Sequence, residues 1–173
     1  MRKLSLITLT LLSSIAICIN ADAQTRKERK AIWGSPNTYE VKPLGVGQDG
    51  TKVFQVWATG KKKDDAIFKA MIGGVSVCIF KGLPGGAGSA PTPPIVSDPN
   101  AMEKHDDYFD QFFTAGGKYT QFIVETVPPT GSDVMNLGKK LGYKVGIRVQ
   151  INYDALRKQL EHDGIARKLD AGF

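Results

Sequence analysis

The chain has 173 residues, 42% of them hydrophobic and 23% charged, with a formal net charge of +6. One ordinary domain with a real core fits that length, and the near-average composition excludes wholesale disorder, collagen and coiled coil. Two Cys and two His exclude a disulfide-dense scaffold and leave little for a His-rich metal site.

Residues 1–23 carry Arg2 and Lys3, an apolar stretch from Leu4 to Ile19, and then Ala21-Asp22-Ala23. A basic start, an apolar middle and small residues before a cut describe a cleavable secretory signal, with cleavage expected before Gln24. A membrane anchor would want about 20 strongly apolar residues; here Ser5, Thr8, Thr10, Ser13, Ser14 and Asn20 interrupt the run. Lipidation at Cys18 is disfavoured because bulky Ile17 precedes it. The expected location is exported, in the periplasm or at the cell surface. Cys78 would then be the remaining thiol, so stability must come from packing without an internal disulfide. Removing Arg2, Lys3 and Asp22 takes 23 basic and 17 acidic residues to 21 and 16, a net of +5.

Residues 24–37 read as a basic, flexible N-terminal arm. Its Arg26, Lys27, Arg29 and Lys30 offer peripheral contact with acidic lipid headgroups or polymers. Nucleic acid is not an expected partner, since no compact basic-aromatic motif is present. Residues 38–173 are expected to form a single domain.

Thr38 to Gly60 reads as a β-hairpin turning at Asp49-Gly50, a dipeptide that tight turns favour. Gly45, Gly47 and Gly50 match a dinucleotide fingerprint in spacing, but a strand-like run follows them where a helix would be needed. A helix is expected from Asp64, with the small residues Ala66, Ala70 and Gly74 forming a stripe that lies close on a sheet. Gly73-Gly74 is expected to end it, and Val75 to Phe80 to form a short buried strand holding Cys78 as a core thiol. Residues 82–97 are dense in Gly and Pro, which predicts a solvated, flexible loop.

Asp98-Pro99 predicts a helix start, with Met102, His105, Phe109 and Phe112 on one face. Glu103, Asp107 and Asp110 fall on the other, which reads as a solvated acidic face. Tyr119 to Val127 predicts a strand. The clearest strand follows: Tyr143, Val145, Ile147, Val149, Ile151 and Tyr153 alternate with Lys144, Gly146, Arg148, Gln150 and Asn152. Such alternation puts one face on the core and the other toward water or a partner. Asp154 then opens a helix that ends near Gly164, with a short helical tail from Ala166 to Phe173.

This element order implies an α+β fold: a mixed, mostly antiparallel sheet with helices packed on one face. The run Phe54-Gln-Val-Trp-Ala-Thr-Gly60, with Asp65-Ala66, Ala70 and the segment Val75 to Phe80, resembles a unit of bacterial envelope domains. Those include the N-terminal domain of flagellar assembly protein T and the related outer-membrane lipoproteins. The chain as a whole, with its Asp154-Ala-Leu-Arg-Lys-Gln-Leu160 ending, resembles secreted bacterial proteins of unassigned activity. The resemblance implies a structural or assembly role.

No catalytic constellation, metal set or cofactor motif stands out in the sequence. The leading expectation is a non-catalytic envelope protein that binds another envelope protein, with Arg148, Gln150 and Asn152 facing the partner. The alternative is a glycan- or lipid-binding protein in which the 82–97 loop covers a pocket lined by Trp57, Tyr108 and Phe112. An exported hydrolase comes third, for want of a nucleophile–base pair.

Overall fold

The structure, a computed structural model, describes residues 25–48 and 50–168. The expected leader, its cleavage point and Asp49 of the expected turn lie outside these residues. The elements are α1 (Arg26–Trp33), β1 (Glu40–Val46), β2 (Thr51–Gly60), α2 (Lys63–Phe80), α3 (Ala101–Lys104), α4 (Asp106–Phe112), β3 (Ile123–Val127), β4 (Val134–Asn136), β5 (Tyr143–Asn152) and α5 (Tyr153–His162).

An antiparallel sheet in the order β1-β2-β5-β3 forms the base, with β4 also paired to β5. The register runs Thr51 opposite Asn152 through Gly60 opposite Tyr143, so β2 occupies one whole edge of β5. On its other edge β5 takes β3 against Arg148–Ile151 and β4 against Tyr143–Val145. Alternation on β5 holds as expected: Val145, Ile147, Val149 and Ile151 are all buried. They meet Phe54, Val56 and Ala58 of β2 beneath α2, and the sheet with α2 makes the core of a single α+β domain.

Helix α2 corrects the sequence reading. It does not stop at Gly73-Gly74; it runs unbroken to Phe80, and the expected Val75–Phe80 strand is its last third. Residues Ile72 to Ile79 are all buried, and a continuous apolar run carries no period to tell helix from strand. Burial on all sides then outweighs the β-branched preference for strand. The two glycines are points of close approach. A Cβ on Gly73 would lie 2.5 Å from the Tyr39 ring, and one on Gly74 would touch Val149, Ile151 and Val56 at 3.4–3.6 Å. Cys78 is therefore a helical core residue, its thiol pushed up to about 12 by burial.

The expected flexible arm is also different. Residues 26–33 form α1, opened by a capping box in which Glu28 N–H donates to Thr25 Oγ1 and Thr25 N–H donates to Glu28 Oε2. The helix docks on α4 through charge and through Trp33. Arg29 makes a bidentate pair with Asp110 at 2.9 and 2.5 Å, Arg26 reaches Asp106 and Asp107, and Lys30 reaches Asp106 at 2.7 Å. Of the acidic row expected to be solvated, Asp110 and Asp107 meet the basic helix together with Asp106, while Glu103 stays exposed. Trp33 is fully buried and stacks with Phe113 at 5.8 Å and Phe80 at 6.4 Å.

Three further expectations change in detail. The helix after Asp98 breaks at His105, whose φ of −119° and ψ of 30° separate α3 from α4. The expected strand from Tyr119 starts only at Ile123, because Lys118–Phe122 form a 3₁₀ turn that buries Tyr119 and Phe122 on one side. The 82–97 loop is anchored: Leu83, Ile95 and Val96 are buried, and Ile95 and Val96 N–H donate to the carbonyls of Cys78 and Ile79 at the end of α2. Those contacts satisfy helix-end carbonyls that would otherwise lack partners.

At the other end of the chain, Ile165 N–H donates to Leu160 O and Gly164 has a φ of +73°, a helix ending of the expected kind. Residues 166–168 do not continue as helix. Beside that ending, burial works against ionising Asp163, but hydrogen bonds from the Tyr108 hydroxyl, Gln159 and His162 outweigh it and hold the carboxyl at about 2. An unfolded Asp titrates near 3.9, so the folded state gains stability above about pH 4 and loses it as the pH falls toward 2. The Asp163→Asn variant is expected to unfold about 2 kcal/mol more easily at pH 7. In urea titrations the gap between wild type and variant closes between about pH 4 and pH 2.

Candidate functional site

The sheet has α2 on one face only, so the even residues of β5 and the odd residues of β2 share the other. Gln55 stands opposite Arg148, Trp57 opposite Gly146, Thr59 opposite Lys144 and Val53 opposite Gln150. Val127 of β3 and Met135 of β4 register on the same face and are exposed. The result is a mixed surface of aliphatic, amide and basic groups.

Within it the polar groups are ordered by specific contacts. The Gln55 side chain is only 8% exposed because the turn before β4 folds over it, and its Nε2 donates to Asp133 Oδ1 at 2.8 Å. Hydrogen bonds from Thr130 and then from Gln55 hold the Asp133 carboxyl below the usual range. Lys144 Nζ lies 5.5 Å from the centre of the Trp57 ring and 2.6 Å from Glu40 Oε2. Gly146 leaves room for that indole: a Cβ there would lie 2.6–2.8 Å from the ring atoms.

Past Trp57 the face turns into an open cleft of about 980 Å³. Strand β1 begins at Glu40, which pairs with Trp57, so β2 continues beyond it to Gly60 with β5 on one side only. Helix α1 contributes Glu28 and Ile32, α2 contributes Asp65 and Lys69, and Tyr39 and Thr59 complete the lining with Trp57 and Lys144. Burial raises the Tyr39 phenol well above its ordinary value, and its OH donates to Ile32 O. The carboxylates are committed: Glu28 to Thr25, Glu40 to Lys144, and Asp65 to Lys61 N–H and Lys69.

The six residues singled out from sequence separate here. Arg148 is exposed on the open face, and Gln150 is half-buried with its amide donating to Thr51 Oγ1. Asn152 serves structure: its Oδ1 accepts from Ala155 N–H and caps α5. Trp57 lines the cleft, whereas Tyr108 and Phe112 stack on each other at 5.8 Å in the aromatic cluster around α4. Phe112 is buried there and Tyr108 bonds Asp163. The 82–97 loop lies against Pro43 and Phe54, and the cleft at Trp57 does not include it.

Sequence reasoning missed Glu40, Lys69 and Lys144 as neighbours of Trp57. The alternation of β5 put Lys144 on the outward face, but only the β2–β5 register brings it to Trp57. Among the described residues, no group of three or more His, Cys, Asp or Glu is placed to hold a metal ion. No helix among them is long and apolar enough to cross a membrane. No family model matches the chain, and no curated protein or solved structure matches it significantly.

Proposed function

We propose that this chain is an exported, non-catalytic component of the cell envelope that binds another envelope protein through the open face of β2 and β5. The observation that carries the reading is a five-stranded sheet packed by α2 on one side and partly open on the other, where Arg148, Val127 and Met135 are exposed. That side presents Trp57 together with them. Aromatic and Arg side chains are enriched at binding hot spots, and here exposed Lys42 and Glu125 register on the same face. Support for export is the leader pattern of residues 1–23.

A photo-crosslinking residue at Arg148 is expected to capture one discrete partner in envelope fractions, and the same residue at Lys158 on α5 to capture none. With that partner purified, Trp57→Ala and Arg148→Glu should each weaken binding roughly 10-fold or more. Equal capture at both positions, or unchanged affinity in both variants, would overturn the proposal.

A second reading is favoured by the cleft itself: Trp57, Tyr39 and Thr59 beside paired charges suit a glycan or lipid ligand. Trp33 is buried, so a ligand there would register in the emission of Trp57, and its abolition in Trp57→Phe would locate it.

A further inference from the structure

At the Gly60 end of the sheet two basic turns meet. Lys61, Lys62 and Lys63 leave β2 for α2, while Lys139 and Lys140 sit in the tight turn between β4 and β5, and all five are exposed. The turns touch: Lys61 Nζ donates to Lys140 O at 2.7 Å, and Gly142 packs so closely on Gly60 that a Cβ would collide with its carbonyl. Lys63 Nζ stands 5.6 Å from the centre of the Tyr143 ring. The lysines therefore belong to one surface, although nearly 80 residues separate them in sequence.

That surface also presents bare aliphatic side chains. Leu141 is 66% exposed and Leu137 is 38% exposed, within a turn closed by Leu137 N–H to Gly142 O and Gly142 N–H to Gly138 O. Of the two carboxylates that follow the lysines in the chain, Asp65 is taken by Lys61 N–H and Lys69, and Asp64 is exposed. By contrast, of Arg26, Lys27, Arg29 and Lys30, which the sequence offers for lipid contact, Arg26, Arg29 and Lys30 are paired with Asp106, Asp107 and Asp110, and Lys27 is exposed.

We infer that this tip docks on an anionic phospholipid bilayer, its lysines at the headgroups and Leu137 and Leu141 entering the acyl boundary. Aliphatic tips ringed by lysine match that interface, because the hydrocarbon and the negative surface potential reward the two groups at adjacent depths. An acidic protein would need an apolar pocket set among its carboxylates to cover both leucines. Arg148 registers with Gln55, five residues before Gly60, so the tip lies at one end of the sheet that carries the open face.

Among the described residues every core side chain lies between Ile32 and Ala166, and the vesicle assay uses the chain from Gln24, its expected mature form. Flotation with phosphatidylcholine vesicles containing phosphatidylglycerol is expected to carry the protein up, and pure phosphatidylcholine is not. Neutralising two lysines in Lys139→Gln/Lys140→Gln should lower partitioning about 30-fold, and Leu137→Ser/Leu141→Ser about 10-fold or more. Lys158→Gln, on α5 beyond the opposite end of β5, should change it little. A second readout needs no loss of binding: an environment-sensitive dye on Leu141→Cys should shift to the blue with the anionic vesicles, since Cys78 is buried and unreactive. Absence of binding to anionic vesicles would overturn the inference. So would binding that ignores the lysines, or binding that ignores both leucines with no shift of the dye, which would mark a purely electrostatic surface.

Discussion

Replacing Trp33 with alanine is expected to cost about 3–5 kcal/mol of stability, as truncation of a fully buried large aromatic does. Its indole packs among Phe80, Phe109 and Phe113 with centroids 5.6–6.4 Å away. Ser76 Oγ also donates to its carbonyl from α2. Removing the ring opens a cavity where α1, α2 and α4 meet, and the ion pairs of α1 do not compensate, because most are exposed and exposed pairs contribute about 0–1 kcal/mol each. Trp33→Phe should be much milder. It keeps an aromatic ring and deletes Nε1–H, a buried donor without a hydrogen-bond partner. Urea unfolding followed by far-UV circular dichroism measures both. A Trp33→Ala loss below about 1 kcal/mol would mean that α1 is not part of the cooperative core.

Gly73→Val is expected to destabilise by about 2–3 kcal/mol, although helix propensity favours valine over glycine. The added Cβ meets the Tyr39 ring at 2.5–2.7 Å, and Tyr39 is itself buried with its OH tied to Ile32 O. The helix backbone is packed on the sheet, and moving the ring breaks the Tyr39–Ile32 hydrogen bond, so the strain falls on the segment linking α1 to β1. That segment also lines the cleft, so the variant should blunt any ligand response at Trp57. Gly73→Ala separates the two contributions: a gain in stability would show that the ring moves aside at little cost. At Gly34, by comparison, the nearest obstruction to a Cβ is Lys30 O, within α1 itself.

Strand β5 and the existence of α5 were legible because their signals are local, whereas the pairing of β5 with β2 was not. Strict alternation along β5 assigns a face to each residue, but the cap of α5 is Asn152, which the alternation alone turned toward a partner, and the helix opens at Tyr153 ahead of the expected Asp154. The capping box of Thr25 and Glu28 was equally local, and reading it would have placed a helix where a flexible arm was expected. Lone basic clusters near a chain end do not reveal whether they are solvated. The partners of Arg26 and Arg29 lie about 80 residues away on α4.

Sequence alone determined the α+β class, the inward residues of β5, the hairpin of β1 and β2 and the small-residue stripe of α2, since each follows from periodicity, turn chemistry or side-chain size within a short window. Tertiary structure alone decided that Val75–Phe80 is helix, that the Gly/Pro loop is anchored, and which outward residues meet. Those outcomes depend on what packs around a segment and on the register between strands. A run buried on every side adopts the conformation its neighbours leave room for, and Trp57 meets Lys144 only because β2 and β5 align Gly60 with Tyr143.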